Sequence, residues 1–146
     1  MKRLRVHKNL ILWLLVGFSF IGFLSAGYLT AKYYLGETPN CSFLGGCDVV
    51  AKSKYSQVGP IPLALVGVGY FLALLFLLLA YVDTKKVLFL KLSFVLSAGG
   101  FFVALMLLWL QFFVIGAICF YCLISDFSSI IVFFFLLTKY KKIYGN

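Results

Sequence analysis

The stretch of sequence that decides the fold runs from Leu92 to Thr138 and reads LSFVLSAGGFFVALMLLWLQFFVIGAICFYCLISDFSSIIVFFFLLT. Its 47 residues carry a single charged side chain, that of Asp126. A continuous helix of this length would extend about 70 Å, whereas the hydrocarbon core of a membrane is about 30 Å thick. The stretch must therefore cross a membrane twice, and we predict the turn near Gly116 and Cys119.

Two more apolar runs precede this stretch and complete a set of four spans. The first is charge-free from Asn9 to Ala31 and is too long for the apolar part of a signal peptide. We predict an all-α membrane protein, a bundle of four transmembrane helices within one domain of residues 1–146. The helices cover about residues 10–34, 61–82, 92–115 and 119–138, and a cysteine-bearing outer loop, residues 36–60, joins the first two.

The composition agrees with a protein whose solvent is lipid. Of the 146 residues 64% are hydrophobic and 12% are charged, and the mean hydropathy is +1.08. A water-soluble domain is about half apolar and about a quarter charged, so these values exclude an ordinary soluble protein. The net charge of +9 does not indicate nucleic-acid binding, because the basic residues lie at the termini and in short breaks between apolar runs.

The basic residues predict the orientation. With four spans, both termini and the turn between the second and third helices lie on one side, which carries ten Lys and Arg, while the other side carries three. The positive-inside rule places the ten in the cytoplasm. We therefore expect the cysteine-bearing loop on the periplasmic or extracellular side of a cell inner membrane.

All four cysteines fall on this predicted outer side. Cys41 and Cys47 lie in the loop, and Cys119 and Cys122 form a C-x-x-C motif where the fourth helix begins. The unpaired N–H groups and the dipole of a helix start favour a thiolate, which is the attacking species in disulfide exchange. The pattern favours a redox relay over the alternatives, which are structural disulfides or a thiolate site for Zn²⁺ or Cu(I). We predict no metal ion, because no histidine supports such a site.

A dithiol relay within a membrane needs an acceptor for two electrons. A lipid-soluble quinone fits this requirement. Cys122 lies one turn deeper than Cys119 and is the better placed of the two to meet it.

Four motifs follow one another along the chain: Cys41-x5-Cys47, Ser53, the segment GPIPLA at residues 59–64, and Cys119-x-x-Cys122. Their order and spacing resemble the vitamin K epoxide reductase family, most closely its short prokaryotic members without a fused thioredoxin domain. The resemblance implies a four-helix bundle around a quinone pocket. Prokaryotic members reoxidise a thioredoxin-like, DsbA-like partner, reduce ubiquinone or menaquinone and support disulfide formation in exported proteins, whereas vertebrate members reduce vitamin K and its epoxide.

The resemblance also implies a role for individual residues. Cys41 would exchange disulfides with the partner, Cys47 would pass the bond to Cys119, and Cys122 would face the quinone. Ser53 would lie beside the pocket and hold the loop or bond near the active pair, unless it is an ordinary loop serine. Because the chain ends at Asn146, we expect the partner to be a separate protein.

Asp126 departs from the pattern of the vertebrate branch, which has a tyrosine there that bonds the vitamin. It follows Cys122 by four residues and so lies on the same helix face. A carboxyl at this depth is expected to face the bundle interior. It is either a proton donor or hydrogen-bond partner of the reduced quinone, or it is bonded to Ser125, Ser128, Ser129 or a serine of the first helix. Gln111 could line a pocket, but such glutamines more often bond a neighbouring helix, and we do not count it as a site residue.

The function predicted from the sequence is that of a membrane thiol:quinone oxidoreductase. The alternatives are a vitamin K or epoxide-type quinone reductase and a disulfide-stapled structural membrane protein. A DsbB-type quinone reductase fits less well, because that family has its C-x-x-C in the first outer loop. The sequence leaves two disulfide patterns open, one with Cys41–Cys47 and Cys119–Cys122 bonds and one with a Cys47–Cys119 crosslink.

Overall fold

Four long helices dominate the computed structural model, which describes residues 2–41 and 45–145 and side chains from residue 10 onward. Residues 1, 42–44 and 146 lie outside the described part, so the predicted domain bounds at 1 and 146 and part of the 36–60 loop stay predictions. In chain order the helices are α1 (Lys2–Leu35), the short α2 (Cys47–Lys52), α3 (Leu63–Thr84), α4 (Val87–Trp109) and α5 (Phe120–Tyr144).

The loop between α1 and α3 is folded against the bundle. After α2 it forms a 3₁₀ turn, Lys54–Ser56, and a two-stranded antiparallel hairpin of β1 (Gln57–Val58) and β2 (Ile61–Pro62). Pro62 is both the last hairpin residue and the residue before α3, a place where proline costs no helical hydrogen bond. The loop therefore enters α3 at a fixed angle.

The four long helices pack as a ring. α1 contacts α3 and α5, and α4 contacts the same two helices. Buried apolar side chains from all four meet in one core, made of Leu15, Ala26, Phe71, Leu74, Leu78, Leu90, Val132 and Leu136.

Large apolar side chains also cover the outside of the ring. Phe76, Phe102 and Phe113 are 69%, 69% and 78% exposed, and a soluble protein rarely presents so much contiguous apolar surface. Within the described residues, four helices are long and apolar enough to cross a membrane. The predicted four-helix transmembrane fold is confirmed, and the chain is a multi-pass membrane protein.

Three of the helices extend beyond the apolar runs that predict them. α1 begins at Lys2, α4 begins at Val87 rather than near Leu92, and α5 continues to Tyr144 rather than ending near Thr138. The extensions of α1 and α5 are rich in Lys or Arg, that of α4 ends at Lys91, and these residue types are good helix formers. A hydropathy pattern predicts the apolar part of such a helix. It does not predict the charged residues that continue the helix beyond it.

The turn between the last two spans is irregular. α4 continues into a π-helical turn, Leu110–Ile115, which ends at Gly116 in the left-handed conformation, with φ of 67°. α5 then begins directly after Cys119, where the sequence predicts the fourth helix to start. This turn positions the C-x-x-C motif.

Candidate functional site

The two cysteine pairs lie at the same end of the bundle. Gly46, directly before Cys47, packs against the backbone of Ile118, directly before Cys119. A Cβ atom at Gly46 would lie 2.6 Å from the Ile118 carbonyl oxygen and 2.7 Å from its nitrogen, so only glycine permits this approach. Cys47 and Cys119 are each 1% exposed, and both are therefore enclosed where the loop meets the start of α5.

The cysteines differ in their bonding. Cys41 and Cys47 form a disulfide with a Cα–Cα distance of 5.9 Å, whereas Cys119 and Cys122 are free thiols. This pattern is neither of the two that the sequence leaves open, since the loop pair is oxidised and the C-x-x-C pair is reduced. Cys41 is half-buried, whereas Cys47 is buried.

Cys119 caps α5, as its position before the helix predicts. Its sulfur accepts a hydrogen bond from the Cys122 backbone N–H at 3.3 Å. The Cys122 thiol, followed by the N–H groups of Cys122 and Tyr121, lowers the pKa of Cys119 below that of an ordinary thiol, although burial acts in the opposite direction. Cys119 is thus the sulfur that the fold favours as a thiolate.

Aromatic side chains hold the motif against the first helix. The rings of Tyr28 in α1 and Tyr121 in α5 have centroids 4.5 Å apart. Tyr121 lies between the two cysteines of the C-x-x-C, so this contact fixes the motif relative to α1.

A cavity of about 960 Å³ opens beside the free thiols. It runs from the loop into the bundle, is lined by residues of α1, α3, α4 and α5, and its walls are mostly apolar. The polar residues at its outer end include Ser53, Gln111, Cys119, Cys122 and Asp126. A large apolar cavity with a few converging polar groups is typical of a small-molecule site.

Asp126 is buried on the cavity wall, with 5% of its surface exposed. Its Oδ2 accepts a hydrogen bond from Gln111 Nε2 at 3.3 Å. If Asp126 has a purely structural role, the sequence predicts that it bonds a serine. This prediction is wrong, because Asp126 faces the π-helical turn and bonds Gln111 instead. Ser129 instead pairs with the Tyr70 hydroxyl at 2.9 Å.

Gln111 is the residue that sequence reasoning leaves out. It is 3% exposed, and its Oε1 accepts the backbone N–H of Cys119 at 3.2 Å. It lines the cavity and bonds a neighbouring helix as well, so both interpretations that the sequence offers apply together. A lone uncharged polar residue in an apolar stretch, close before the C-x-x-C, is the signal that could have found it.

Ser53 is tied to the loop. Its hydroxyl donates to the Val50 carbonyl at 2.7 Å, and its own carbonyl accepts from the Ser56 hydroxyl at 2.8 Å. It also lines the cavity. Ser53 therefore holds the loop at the cavity, and its hydroxyl bonds the loop backbone.

The cavity fits a quinone. The Ser125 hydroxyl lines it, is buried and has no hydrogen-bond partner among the described residues. With Asp126 one residue further on, the wall offers two polar groups to the carbonyl oxygens of a flat apolar ring. Across residues 2–41 and 45–145, no group of three or more His, Cys, Asp or Glu side chains is placed to hold a metal ion.

A bundle of four membrane-spanning helices with a bonded and a free cysteine pair at one end defines a membrane redox protein. The sequence matches the model of the vitamin K epoxide reductase family over residues 13–137, which is most of the chain. The chain therefore belongs to the vitamin K epoxide reductase family, as the resemblance of its motifs indicates. A search for similar sequences among curated proteins found no match.

Proposed function

We propose that this chain is a membrane thiol:quinone oxidoreductase, which reoxidises a thioredoxin-like partner and so supports disulfide formation in exported proteins. The observation that carries the proposal is that a bonded and a free cysteine pair lie at the same end of the bundle, and that the free pair lines a cavity large enough for a quinone. A stapled structural protein has no use for two free thiols placed this way. Family membership supports the redox chemistry.

The loop pair receives the electrons. A thiolate of the partner attacks the sulfur of Cys41, the bond to Cys47 breaks, and Cys47 leaves as a thiolate. The second partner thiol then displaces Cys41. The partner gains a disulfide and the loop pair takes up its two electrons; the half-buried position of Cys41 supports its role as the outer of the two.

Internal exchange moves the electrons to the C-x-x-C. When Cys119 and Cys122 are bonded, the Cys47 thiolate attacks Cys119 and Cys122 leaves as a thiolate. Cys41 next attacks Cys47, which restores the loop disulfide and releases Cys119. The product is the state of the present structure, with the loop pair oxidised and the inner pair reduced.

The inner pair then loses its two electrons. A bound quinone supplies the two-electron, two-proton acceptor. Ser125 and Asp126 would hold its carbonyl oxygens, and Asp126 would deliver a proton. The bond between Cys119 and Cys122 forms again, and the two protons of these thiols balance the two that the quinol carries away.

We also propose the orientation that the charges predict, with the cysteine end outside the cell inner membrane, where disulfides persist. The two cysteine pairs share one end of the bundle, and the α3–α4 turn, which carries Lys85 and Lys86, lies at the other end. The stronger basic charge of that turn favours the cytoplasm.

The proposal is tested with the full chain in nanodiscs, reduced thioredoxin and a short-chain ubiquinone or menaquinone. We expect quinone-dependent thioredoxin oxidation that is lost when any one of the four cysteines is replaced by serine. Supplying vitamin K epoxide and a dithiol tests the epoxide-type alternative, which predicts release of the quinone form. If the unaltered chain oxidises no thioredoxin with either quinone and its loop disulfide resists mild reductant, the stapled structural protein is the better account.

A further inference from the structure

Gln111 forms hydrogen bonds to two other residues of the site, Cys119 and Asp126. It lies in the π-helical turn, is 3% exposed, and joins the Cys119 backbone to the Asp126 side chain. The proposed relay assigns thiol exchange to Cys119 and proton delivery to Asp126. The same amide therefore contacts the residues that carry out two successive steps.

The chemistry of the partners fixes which end of the amide faces which group. The backbone N–H of Cys119 can only donate, so the amide oxygen must face it. The amide NH₂ then faces Asp126 and donates to Oδ2. An oxygen that accepts this hydrogen bond is the poorer place for a proton, so when Asp126 carries a proton, the proton belongs on Oδ1.

We propose that Gln111 is a positioning residue, which holds the Cys119 backbone so that its sulfur stays aligned with the start of α5 and directs the transferable proton of Asp126 to Oδ1. This inference rests on the proposed function, because it names the group that sets the geometry of both steps. It predicts an effect on thiol exchange even when no quinone is present.

Without quinone, the measured reaction is disulfide exchange between the loop pair and Cys119 in a Cys122→Ser chain, which we call internal exchange. There the Cys119 thiolate attacks Cys47, the Cys41–Cys47 bond breaks, a Cys47–Cys119 bond forms and Cys41 leaves as a thiolate. Excess maleimide alkylates the released Cys41, and mass spectrometry of the digested chain gives the rate. The pKa of Cys119 is lowered first by the Cys122 thiol, in whose place this background has a serine hydroxyl, and then by the N–H groups of Cys122 and Tyr121 that the held backbone presents to its sulfur.

Gln111→Met keeps the size of the side chain and removes both hydrogen bonds. We expect it to slow exchange about tenfold and to move the pH of half-maximal rate upward. Phe113→Leu is the matched control, since Phe113 belongs to the same turn and is 78% exposed; it should behave as the parent. Gln111→Asn is polar but one carbon too short for both partners, and it should change the rate and the pH profile in the same direction if the Met variant fails to fold.

The second arm measures reoxidation of the inner pair by a short-chain quinone with Cys122 present. Gln111→Met should slow it about tenfold when Asp126 is intact, and less than about twofold in an Asp126→Asn background, because no proton is then left to direct. An unchanged pH profile in both Gln111 variants would mean that Gln111 does not hold Cys119, and an equal slowing in both backgrounds would mean that it does not direct the proton of Asp126. If the parent chain reduces no quinone, the proposed function fails, while the exchange arm still decides whether Gln111 holds Cys119.

Discussion

Gly46 and Ile118 lie backbone against backbone, and each immediately precedes a cysteine. This contact joins the loop that carries one cysteine pair to the turn that carries the other. In the proposed relay, electrons pass between the two cysteine pairs beside this contact, between Cys47 and Cys119. Its geometry depends on a residue without a side chain.

Replacing Gly46 by alanine should therefore separate the two pairs. The added methyl group overlaps the Ile118 backbone, which cannot move without shifting the start of α5, and we expect internal exchange to slow about tenfold. The rate is measured by maleimide capture of Cys41 in the Cys122→Ser chain. Gly69→Ala is the control, since a Cβ there meets open space, and equal rates for the two glycine variants would contradict the role of the contact.

Internal exchange should persist to lower pH than for an ordinary thiol. The pKa of Cys119 is lowered chiefly by the Cys122 thiol, so the reactive thiolate is present above this lowered pKa and is lost as the pH falls through it. Serine at position 122 still donates a hydrogen bond and alanine does not. The pH of half-maximal exchange should thus be higher in Cys122→Ala than in Cys122→Ser, and the same midpoint for both would refute this cause.

Asp126→Asn should act on one step only. An amide cannot deliver a proton, so reoxidation of the inner thiols by quinone should slow about a hundredfold, whereas internal exchange should keep its rate. Stopped-flow absorbance of the quinone measures the first and alkylation measures the second. Ser128→Ala, also buried on α5, is the control. Wild-type quinone reduction by the Asn variant at every pH would exclude Asp126 as the donor.

The orientation of the chain can be tested by labelling. Tyr55 in the loop is 50% exposed, and Lys86 lies in the turn at the opposite end of the bundle. An impermeant maleimide should reach Tyr55→Cys from outside intact cells and Lys86→Cys only after the cells are opened. The parent chain supplies the background of its own cysteines, and the reverse pattern would place the site in the cytoplasm.

Much of the fold follows from the sequence, because lipid imposes a simple rule on helices. A run of about 20 apolar residues must cross the membrane, so the four spans and the start of α5 at Cys119 could be predicted. The π-helical turn could not, since nothing in Leu110–Ile115, which is apolar apart from Gln111, distinguishes it from α-helix.

Part of the candidate site could likewise be predicted from the sequence, and part could not. The cysteines stand out by type and spacing, so their pairing into two groups was predictable. The Gln111–Asp126 bond was not, because it depends on how the π-helical turn rotates Gln111 toward α5. The bonded state of one pair and the free state of the other could not be predicted either, since spacing allows either pair to close.

The central claim is that the two cysteine pairs exchange a bond directly, and the Cys122→Ser chain tests it most directly. The chain is held with its loop disulfide intact, treated with excess maleimide and digested for mass spectrometry. The account predicts a Cys47–Cys119 disulfide and an alkylated Cys41. Recovery of the Cys41–Cys47 disulfide together with an unalkylated Cys119 and no Cys47–Cys119 product would contradict it.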